Sequence, residues 1–357
     1  MPSGVSIYGT IASVTTPPLL QALAGTRPRT LPVWFMRQAG RSLPEYREVR
    51  RGVAMLDSCL RPELAAEITL QPVRRHNVDA AIFFSDIMVP LKLAGVGVDI
   101  APGIGPVMDA PVRTASDVAA LVTRELGDVS AITDAVRLVV AELSQTPSGD
   151  ASWTPLIGFA GAPFTLAAYL VEGRPSRDHL AARAMMHADP ASWNALLTWC
   201  ARISGEFMAA QVAAGASAVQ LFDSWCGSLS LADYAARVAP FSREALALVE
   251  GAPRLHFGTG TGHLLAEMAK GADAVGVDYR TPLDEAASLV PGKPLQGNID
   301  PALLASGWDA LEAATRDVVE RGRRAPGHVV NLGHGVPPET DPDVLTRLVA
   351  LIHSLPA

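Results

Sequence analysis

The chain has 357 residues, of which 49% are hydrophobic and 18% charged, and its formal net charge is −7. This composition excludes an intrinsically disordered chain, and the negative charge argues against broad nucleic-acid binding, which needs a basic face. The mean hydropathy is +0.22, yet no apolar run reaches the roughly 18 residues that suggest a membrane span. We therefore expect a large core, with neither nucleic acid nor membrane as a partner.

The amino terminus and the cysteines carry no signature of export or of metal binding. Residues 1–20 lack the basic start, apolar block and small-residue cleavage site of a secretory signal, and we interpret them as the loose leader of a cytoplasmic protein. The three cysteines are odd in number, widely spaced and form no CxxC pair, so they indicate neither a disulfide framework nor a zinc knuckle. His256 and His263 have no third ligand nearby in the sequence. We expect no metal.

Short apolar runs recur along the chain, each followed by Gly, Asp or Ser and then by a helical stretch. Their lack of clear alternation is typical of parallel strands buried on both faces. The eight predicted strands are 32–36, 80–84, 155–160, 218–223, 254–259, 274–278, 294–298 and 329–333. The predicted amphipathic helices are 62–76, 116–122, 131–144, 191–214, 231–250, 262–270, 283–288 and 308–322.

Eight βα units in sequence predict a single (β/α)8 TIM barrel, with a doubly wound sheet as the structural alternative. The stretch 95–112, between the second and third strands, is predicted to be a β-hairpin or lid-like excursion. No linker rich in Pro, Ser or charge divides the chain, so we expect one domain over residues 1–357.

Polar residues follow many of the predicted strands. In a TIM barrel the active site lies at the carboxyl ends of the strands, so these side chains are expected to converge on one cavity. They are Arg37, Asp86, Ser224, Thr259, Asp278, Asn298 and His334.

Two arginines, Arg37 and Arg41, lie four residues apart just beyond the first predicted strand. Each guanidinium can bind two oxygens of a carboxylate or phosphate at once, so the pair favours an anionic ligand. In the alternative interpretation, the two arginines belong to a solvated helix face and pair with Glu45 and Glu48.

Other strand ends carry candidates that remain open at the level of residue chemistry. Asp86 is a carboxylate in apolar surroundings, which needs donors or a cation, or else caps a turn. Tyr169 either faces the cavity from its helix or belongs to the core. His334, flanked by glycines, is an acid, a ligand contact, a metal ligand or none of these. Ser224 has no GxSxG around it, which excludes a hydrolase elbow, and Cys226 has no base partner.

Six stretches together resemble the uroporphyrinogen decarboxylase family, in that family's order and over nearly the whole chain. The first of them alone is highly specific, because many rigid residue choices coincide. They are PVWFMRQAGRSLPEYREVR, FFSDIMVPL, GFAGAPFTLAAYLVEG, LFDSW, PLQGNIDP and NLGHGV.

The resemblance implies a distorted (β/α)8 barrel, usually a homodimer, with a deep cleft that holds uroporphyrinogen III. The four acetate arms become methyl groups, which gives coproporphyrinogen III and four CO2 in haem biosynthesis, without a cofactor or metal. It also implies that Asp86, Arg37 and Tyr169 are catalytic. The substrate-binding positions that it implies are Arg37, Gln38, Ala39, Gly40, Arg41, Arg50, Phe84, Asp86, Tyr169, Phe222, Ser224 and His334.

Within this resemblance the arginines and His334 receive carboxylates and Asp86 accepts pyrrole N–H groups, while the proton donor stays open. One departure is the stretch VEGRPSRDH, where the family more often has a longer glycine run. Arg174 and Pro175 stiffen this loop, which puts a closing motion in doubt.

Two alternatives remain. A corrinoid or thiol methyltransferase on the same fold would need zinc through an H-x-C motif, but His256 is followed by Phe257 and Gly258, and no cysteine lies beyond Cys226. A non-catalytic tetrapyrrole carrier would have less reason to place Asp86 together with an arginine.

Overall fold

A computed structural model describes residues 15–357, so most of the predicted leader lies outside the described residues. The strands are β1 (Ala81–Ile82), β2 (Val98–Ala101), β3 (Gly105–Met108), β4 (Leu156–Gly161), β5 (Ala218–Asp223), β6 (Arg254–Gly258), β7 (Ala274–Gly276), β8 (Leu295–Gln296) and β9 (His328–Val329). The helices are α1 (Pro18–Leu23), α2 (Pro44–Val49), α3 (Met55–Cys59), α4 (Pro62–His76), α5 (Val89–Leu93), α6 (Ala115–Leu121), α7 (Ser130–Leu143), α8 (Pro163–Glu172), α9 (Leu180–Ala188), α10 (Pro190–Ala213), α11 (Leu231–Arg237), α12 (Ala239–Ala247), α13 (Leu265–Met268), α14 (Leu283–Leu289), α15 (Trp308–Gly322) and α16 (Pro342–Ser354). Short 3-10 turns occupy Cys226–Ser228, Gly262–Leu264 and Pro301–Ala305.

Seven strands form one curled, parallel sheet in the order β1-β4-β5-β6-β7-β8-β9. Every residue of β4 is buried, as expected for a sheet covered by helices on one side and filled with side chains on the other. The prediction of an α/β fold with a parallel sheet is confirmed. Strands β2 and β3 pair antiparallel, which confirms the hairpin predicted within 95–112.

The first predicted strand, 32–36, joins this sheet through an isolated parallel bridge between Val33 and Val330. It lies between β9 and the start of β1, because the Trp34 amide donates to Val330 O at 3.3 Å and the Asp79 amide donates to Val33 O at 2.8 Å. Residues 32–36 therefore occupy the gap between β9 and β1, which are the two edge strands of the curled sheet.

Side-chain oxygens explain why this run is not a regular strand. The amides of Val33, Phe35 and Met36 donate to the side chains of Asp79, Gln38 and Asn331, at 2.8–2.9 Å. A backbone N–H that is satisfied by a side chain no longer takes part in a ladder. The segment thereby gains the freedom to turn sharply at its carboxyl end.

The predicted helix 231–250 is wrong as a single element, since α11 ends at Arg237 and α12 begins at Ala239. Pro240 causes the break, because a proline removes a helical N–H and clashes with the preceding turn. The predicted helix 62–76 coincides with α4. In the part of the chain that the structure describes, no helix is both long and apolar enough to cross a membrane.

Candidate active site

A solvent-open cavity of about 770 Å³ lies at the carboxyl ends of β1, β4 and β5. The predicted site residues that line it are Arg37, Ala39, Gly40, Arg41, Phe84, Asp86, Phe222 and Ser224. Of the seven strand-end residues that were expected to converge on one cavity, Arg37, Asp86 and Ser224 line it, whereas Thr259, Asp278, Asn298 and His334 do not.

The backbone beside the cavity takes left-handed conformations at residues that rarely adopt them. Arg37 has φ of 64° and Arg41 has φ of 67°, and Gly40 between them has φ of 88°. A non-glycine residue in this region costs on the order of 1–3 kcal/mol, and such residues concentrate at ligand sites. The Val336 amide holds the turn by donating to Met36 O at 2.9 Å.

The glycines that flank His334 make room for neighbours. A Cβ on Gly335 would lie 2.5 Å from Cδ of Arg37, and a Cβ on Gly333 would lie 2.2 Å from the Tyr279 amide nitrogen. Only glycine tolerates both approaches. The NLGHGV segment thus supports the Arg37 side chain directly.

The two arginines carry positive charge that is not neutralised by an ion pair within residues 15–357. Glu45 pairs with Arg75 at 2.7 Å, and within residues 15–357 neither Arg37 nor Arg41 forms an ion pair. Burial, followed by repulsion from Arg37, lowers the pKa of Arg41 to about 10. The alternative in which glutamates neutralise this pair is wrong, and the cavity favours an anion.

Asp86 lines the same cavity and also caps a turn. Its Oδ1 accepts a hydrogen bond from the Met88 amide at 2.9 Å. Burial raises the pKa of Asp86, while this hydrogen bond and the charge of Arg37 act in the opposite direction. Both interpretations of the residue therefore hold at once, and a second carboxylate oxygen remains for a ligand.

Four further predicted residues, Gln38, Arg50, Tyr169 and His334, do not line the cavity. Gln38 is buried beneath the turn, where its amide group donates to Ala80 O at 2.9 Å. The Arg50 guanidinium stacks over the ring of Tyr46, 5.3 Å from its centroid. His334 is exposed, and Gly335 beside it contacts the Arg37 side chain at the open edge of the cavity, which is called the mouth below. These side chains support or surround the cavity.

Tyr169 is buried on α8, with its ring 5.7 Å from that of Trp225 in an edge-on arrangement. Burial raises its pKa, and the nearby charge of Asp86 adds to the effect. The hydroxyl therefore stays protonated around neutral pH, within the electrostatic reach of Asp86.

Two comparisons with known proteins decide the family. The uroporphyrinogen decarboxylase (URO-D) family model matches residues 15–355. The chain is 67% identical to a uroporphyrinogen decarboxylase of Arthrobacter sp. (strain FB24), covering 95% of this chain and 97% of the relative. It is 57% identical to that of Leifsonia xyli subsp. xyli (strain CTCB07), covering 94% and 93%. The chain belongs to the uroporphyrinogen decarboxylase family. The expected enzyme class, a decarboxylase of tetrapyrrole biosynthesis, is thereby confirmed.

Solved structures support the fold of this uroporphyrinogen decarboxylase family member. A methyltransferase from Methanosarcina mazei superposes with a TM-score of 0.76 at 19% identity, covering 94% of this chain and 97% of the other. A B12-independent methionine synthase from Shewanella sp. W3-18-1 gives a TM-score of 0.54 at 11% identity, covering 81% and 86%. At these identities the likeness concerns the fold alone.

The methyltransferase alternative finds no support at the residue level. Among residues 15–357, no group of three or more His, Cys, Asp or Glu side chains is arranged to hold a metal ion. His256 faces Asp223, with 3.7 Å between Nε2 and Oδ2. Burial raises the pKa of the Cys226 thiol well above its usual value, so it is a poor metal ligand or nucleophile.

Sequence reasoning identified only part of the apolar wall of the cavity, namely Phe84 and Phe222. The rings of Phe159 and Phe222 meet edge to face, with centroids 5.3 Å apart, and Tyr46 meets Phe84 in the same way at 5.9 Å. The position of Phe159 within a predicted strand was a usable signal, because barrel strands alternate inward-facing side chains. The lining residues that were missed are Tyr46, Met55, Ile82, Phe83, Ser85, Ile87 and Phe159.

Proposed function

We propose that the chain converts uroporphyrinogen III into coproporphyrinogen III, releasing four CO2 from the acetate arms. The observation that carries the proposal is the presence, in one open cavity, of a carboxylate, Asp86, and two unpaired guanidinium groups, Arg37 and Arg41. An octacarboxylate whose centre bears pyrrole N–H groups matches both kinds of group.

The guanidinium groups recognise the periphery of the substrate. Each charge-assisted hydrogen bond from Arg37 or Arg41 to a carboxylate contributes roughly 1.5–3 kcal/mol. The wall formed by Phe84, Phe159 and Phe222 contacts the apolar faces of the macrocycle. This division between a cationic and an apolar side orients the ring.

Asp86 binds the centre of the macrocycle by accepting hydrogen bonds from its pyrrole N–H groups. Protonation of a ring carbon gives an iminium-like cation, and departure of CO2 moves the electron pair of the broken C–C bond into the ring system. The resulting exocyclic methylene takes up a proton to become methyl, and the ring carbon loses its proton, which restores the pyrrole. A carboxylate about 4 Å from the cation is worth about 4 kcal/mol at an effective dielectric constant near 20, or roughly three orders of magnitude in rate.

Tyr169 and His334 assist this chemistry from the edges of the cavity. The raised pKa of Tyr169 keeps its proton in place, so the hydroxyl donates hydrogen bonds or relays a proton without ionising. His334 receives a substrate carboxylate at the mouth, as do Arg50 and Ser224. The reaction is proposed to need no cofactor or metal.

We also propose that the molecule is one domain containing a closed eight-stranded barrel, and that it forms a homodimer. The bridge between Val33 and Val330 supports closure, because it fills the gap between β9 and β1. The mass of the particle in sedimentation-velocity analysis tests the dimer.

The direct test is an anaerobic assay of chelator-treated protein with freshly reduced uroporphyrin III. Products are oxidised and separated by carboxylate number. We expect stepwise loss from eight carboxylates to four, a fall of about three orders of magnitude in kcat for Asp86→Asn, and no change for the control Asp57→Asn, an exposed partner of Lys92. Tight binding without turnover would instead indicate a tetrapyrrole carrier.

A further inference from the structure

An ion pair that the proposed mechanism does not use lies on the β7 side of the mouth. Asp278, 2% exposed, follows β7 and pairs with the Arg280 guanidinium, whose side chain is 53% exposed. The carboxylate also accepts hydrogen bonds from the amides of Gly260, at 2.6 Å, and Arg280, at 3.2 Å. Asp278 therefore has backbone donors besides its ion pair.

The Arg280 guanidinium is held in place on two sides. One nitrogen, Nη1, donates to Asp278, and the plane stacks over the Tyr279 ring, 4.4 Å from its centroid. A guanidinium has five N–H donors, so this arrangement leaves others for a ligand. A side chain that is already ordered loses less entropy when it binds.

Contacts of the NLGHGV segment place this ion pair beside the arginines of the cavity. Gly333 lies against the backbone of Tyr279, and Gly335 lies against the side chain of Arg37. His334 is between them. The two guanidinium groups thus stand on either side of a three-residue segment at the same mouth.

A second set of contacts connects the Asp278–Arg280 ion pair to the cavity through Thr259 and Ser224. The Asp278 carboxylate accepts from the Gly260 amide, and the neighbouring Thr259 hydroxyl donates to Ser224 O at 2.6 Å. Ser224 lines the cavity. The loop that carries Arg280 therefore continues the rim between Ser224 and His334.

The electrostatics of His334 agree with this placement. Partial desolvation, followed by repulsion from Arg37, Arg41 and Arg280, lowers its pKa to about 4, while the charge of Asp278 acts in the opposite direction. Three guanidinium groups act on one imidazole, so they share one region of space. Positive charge surrounds the mouth on both sides of His334.

We propose that Arg280 is a further substrate-binding residue, which takes a peripheral carboxylate of the tetrapyrrole on the β7 side of the mouth. The inference rests on the proposed function for the identity of the ligand. A substrate with eight carboxylates needs receptors around the whole mouth, and Arg37 and Arg41 serve one side of it. Arg280 supplies a fixed fork of donors on the other side.

The experiment compares Arg280→Gln with a matched control, Arg254→Gln. Arg254 forms a similar arginine–aspartate pair, 2.9 Å from Asp273, at the opposite end of the sheet, where β6 begins. We expect Arg280→Gln to raise KM for uroporphyrinogen III about tenfold with kcat within about twofold, and Arg254→Gln to change neither. The dissociation constant of uroporphyrin III, followed by its fluorescence, is expected to rise by the same factor.

A double variant separates ligand binding from neutralisation of Asp278. If Arg280 only compensates the buried carboxylate, Asp278→Asn combined with Arg280→Gln restores KM and the dissociation constant, which overturns the proposal. If it binds substrate, both constants stay elevated in the double variant. An unchanged KM and dissociation constant in the single variant would also overturn it. The dissociation constant tests Arg280 even if the protein shows no turnover, an outcome that counts against the proposed function alone.

Discussion

At the scale of single residues, the cavity combines a strained backbone turn with charged side chains that are available to a ligand. Arg37 and Arg41 have left-handed backbones and line one cavity together with Asp86. Two features stabilise this strained turn. The Val336 amide donates a hydrogen bond to Met36 O, and Gly335 has no side chain, which leaves room for Arg37. Such pre-organisation lets the substrate bind without first ordering its receptors.

The raised pKa of Asp86 leads to a prediction about pH. The proposed mechanism needs the carboxylate form, which is lost as pH falls through the raised pKa, so the acid limb of kcat/KM should lie above the usual value for an aspartate, about 3.9. Since the charge of Arg37 lowers the pKa of Asp86, Arg37→Gln should move the limb to still higher pH. Initial rates across pH 4–8 measure both positions.

His334 supplies the control for this measurement. Its pKa of about 4 means that it is neutral over most of this range, so His334→Gln should leave the limb in place. The carboxylates of the substrate titrate equally in all three proteins and cancel in the comparison. A limb that stays fixed in Arg37→Gln would show that a group other than Asp86 controls it.

Residue types at the site were predictable, but their conformations were not. Strand ends and the family resemblance identified Asp86 and both arginines, because carboxylates and guanidinium groups after buried runs are unusual. Nothing in the sequence indicated a positive φ at Arg37, since propensities favour glycine or asparagine there. Arg280 was missed because it follows its strand by several residues and its role depends on a glycine 53 positions later, Gly333.

At the scale of elements, hydrophobic periodicity located most strands but overestimated their length. The predicted strand 294–298 contains only two ladder residues, Leu295–Gln296, because apolar burial continues beyond the regular hydrogen bonds. The carboxyl-terminal helix α16 was missed although Asp341 caps it and Pro342 begins it, a start signal that is visible in the sequence. Local signals fix element types, while tertiary hydrogen bonds decide where each element ends.

The link between the first run, β1 and α16 leads to a prediction about stability. The buried Asp79 carboxylate accepts from the Val33 amide at 2.9 Å and lies 2.7 Å from His353 Nε2 on α16. Its other oxygen accepts from the Ser148 hydroxyl at 3.1 Å. Asp79→Ala leaves these buried groups without a partner, so we expect a loss of about 2–4 kcal/mol in the free energy of unfolding.

Denaturant titration measures this loss, and Asp134→Ala is the matched control. Asp134 also pairs with a cation, Arg137, at 2.7 Å, but both side chains are more than half exposed, so its removal should change stability by less than about 1 kcal/mol. Equal effects of the two substitutions would show that Asp79 does not join these elements energetically.

At the scale of the whole molecule, the net charge and the mouth act in opposite directions. A chain with a formal charge of −7 repels an octacarboxylate at long range, while Arg37, Arg41 and Arg280 attract it at short range. Salt screens the two effects differently, because the Debye length falls from about 30 Å at 0.01 M to about 10 Å at 0.1 M and about 3 Å at 1 M. The balance between them is therefore set by ionic strength.

We expect kcat/KM for uroporphyrinogen III to rise between about 0.01 and 0.1 M salt, as the repulsion is screened, and to fall toward 1 M, as contacts at the mouth weaken. Replacing two exposed carboxylates near the end of α15, Asp317→Asn and Glu320→Gln, should flatten the rise and leave the fall unchanged, since both precede β9 and lie away from the mouth. Their ion pairs are exposed and contribute little to stability. Initial rates at fixed pH across these salt concentrations test the prediction. A steady decline of kcat/KM from the lowest salt concentration would show that attraction by the cationic mouth outweighs the long-range repulsion throughout.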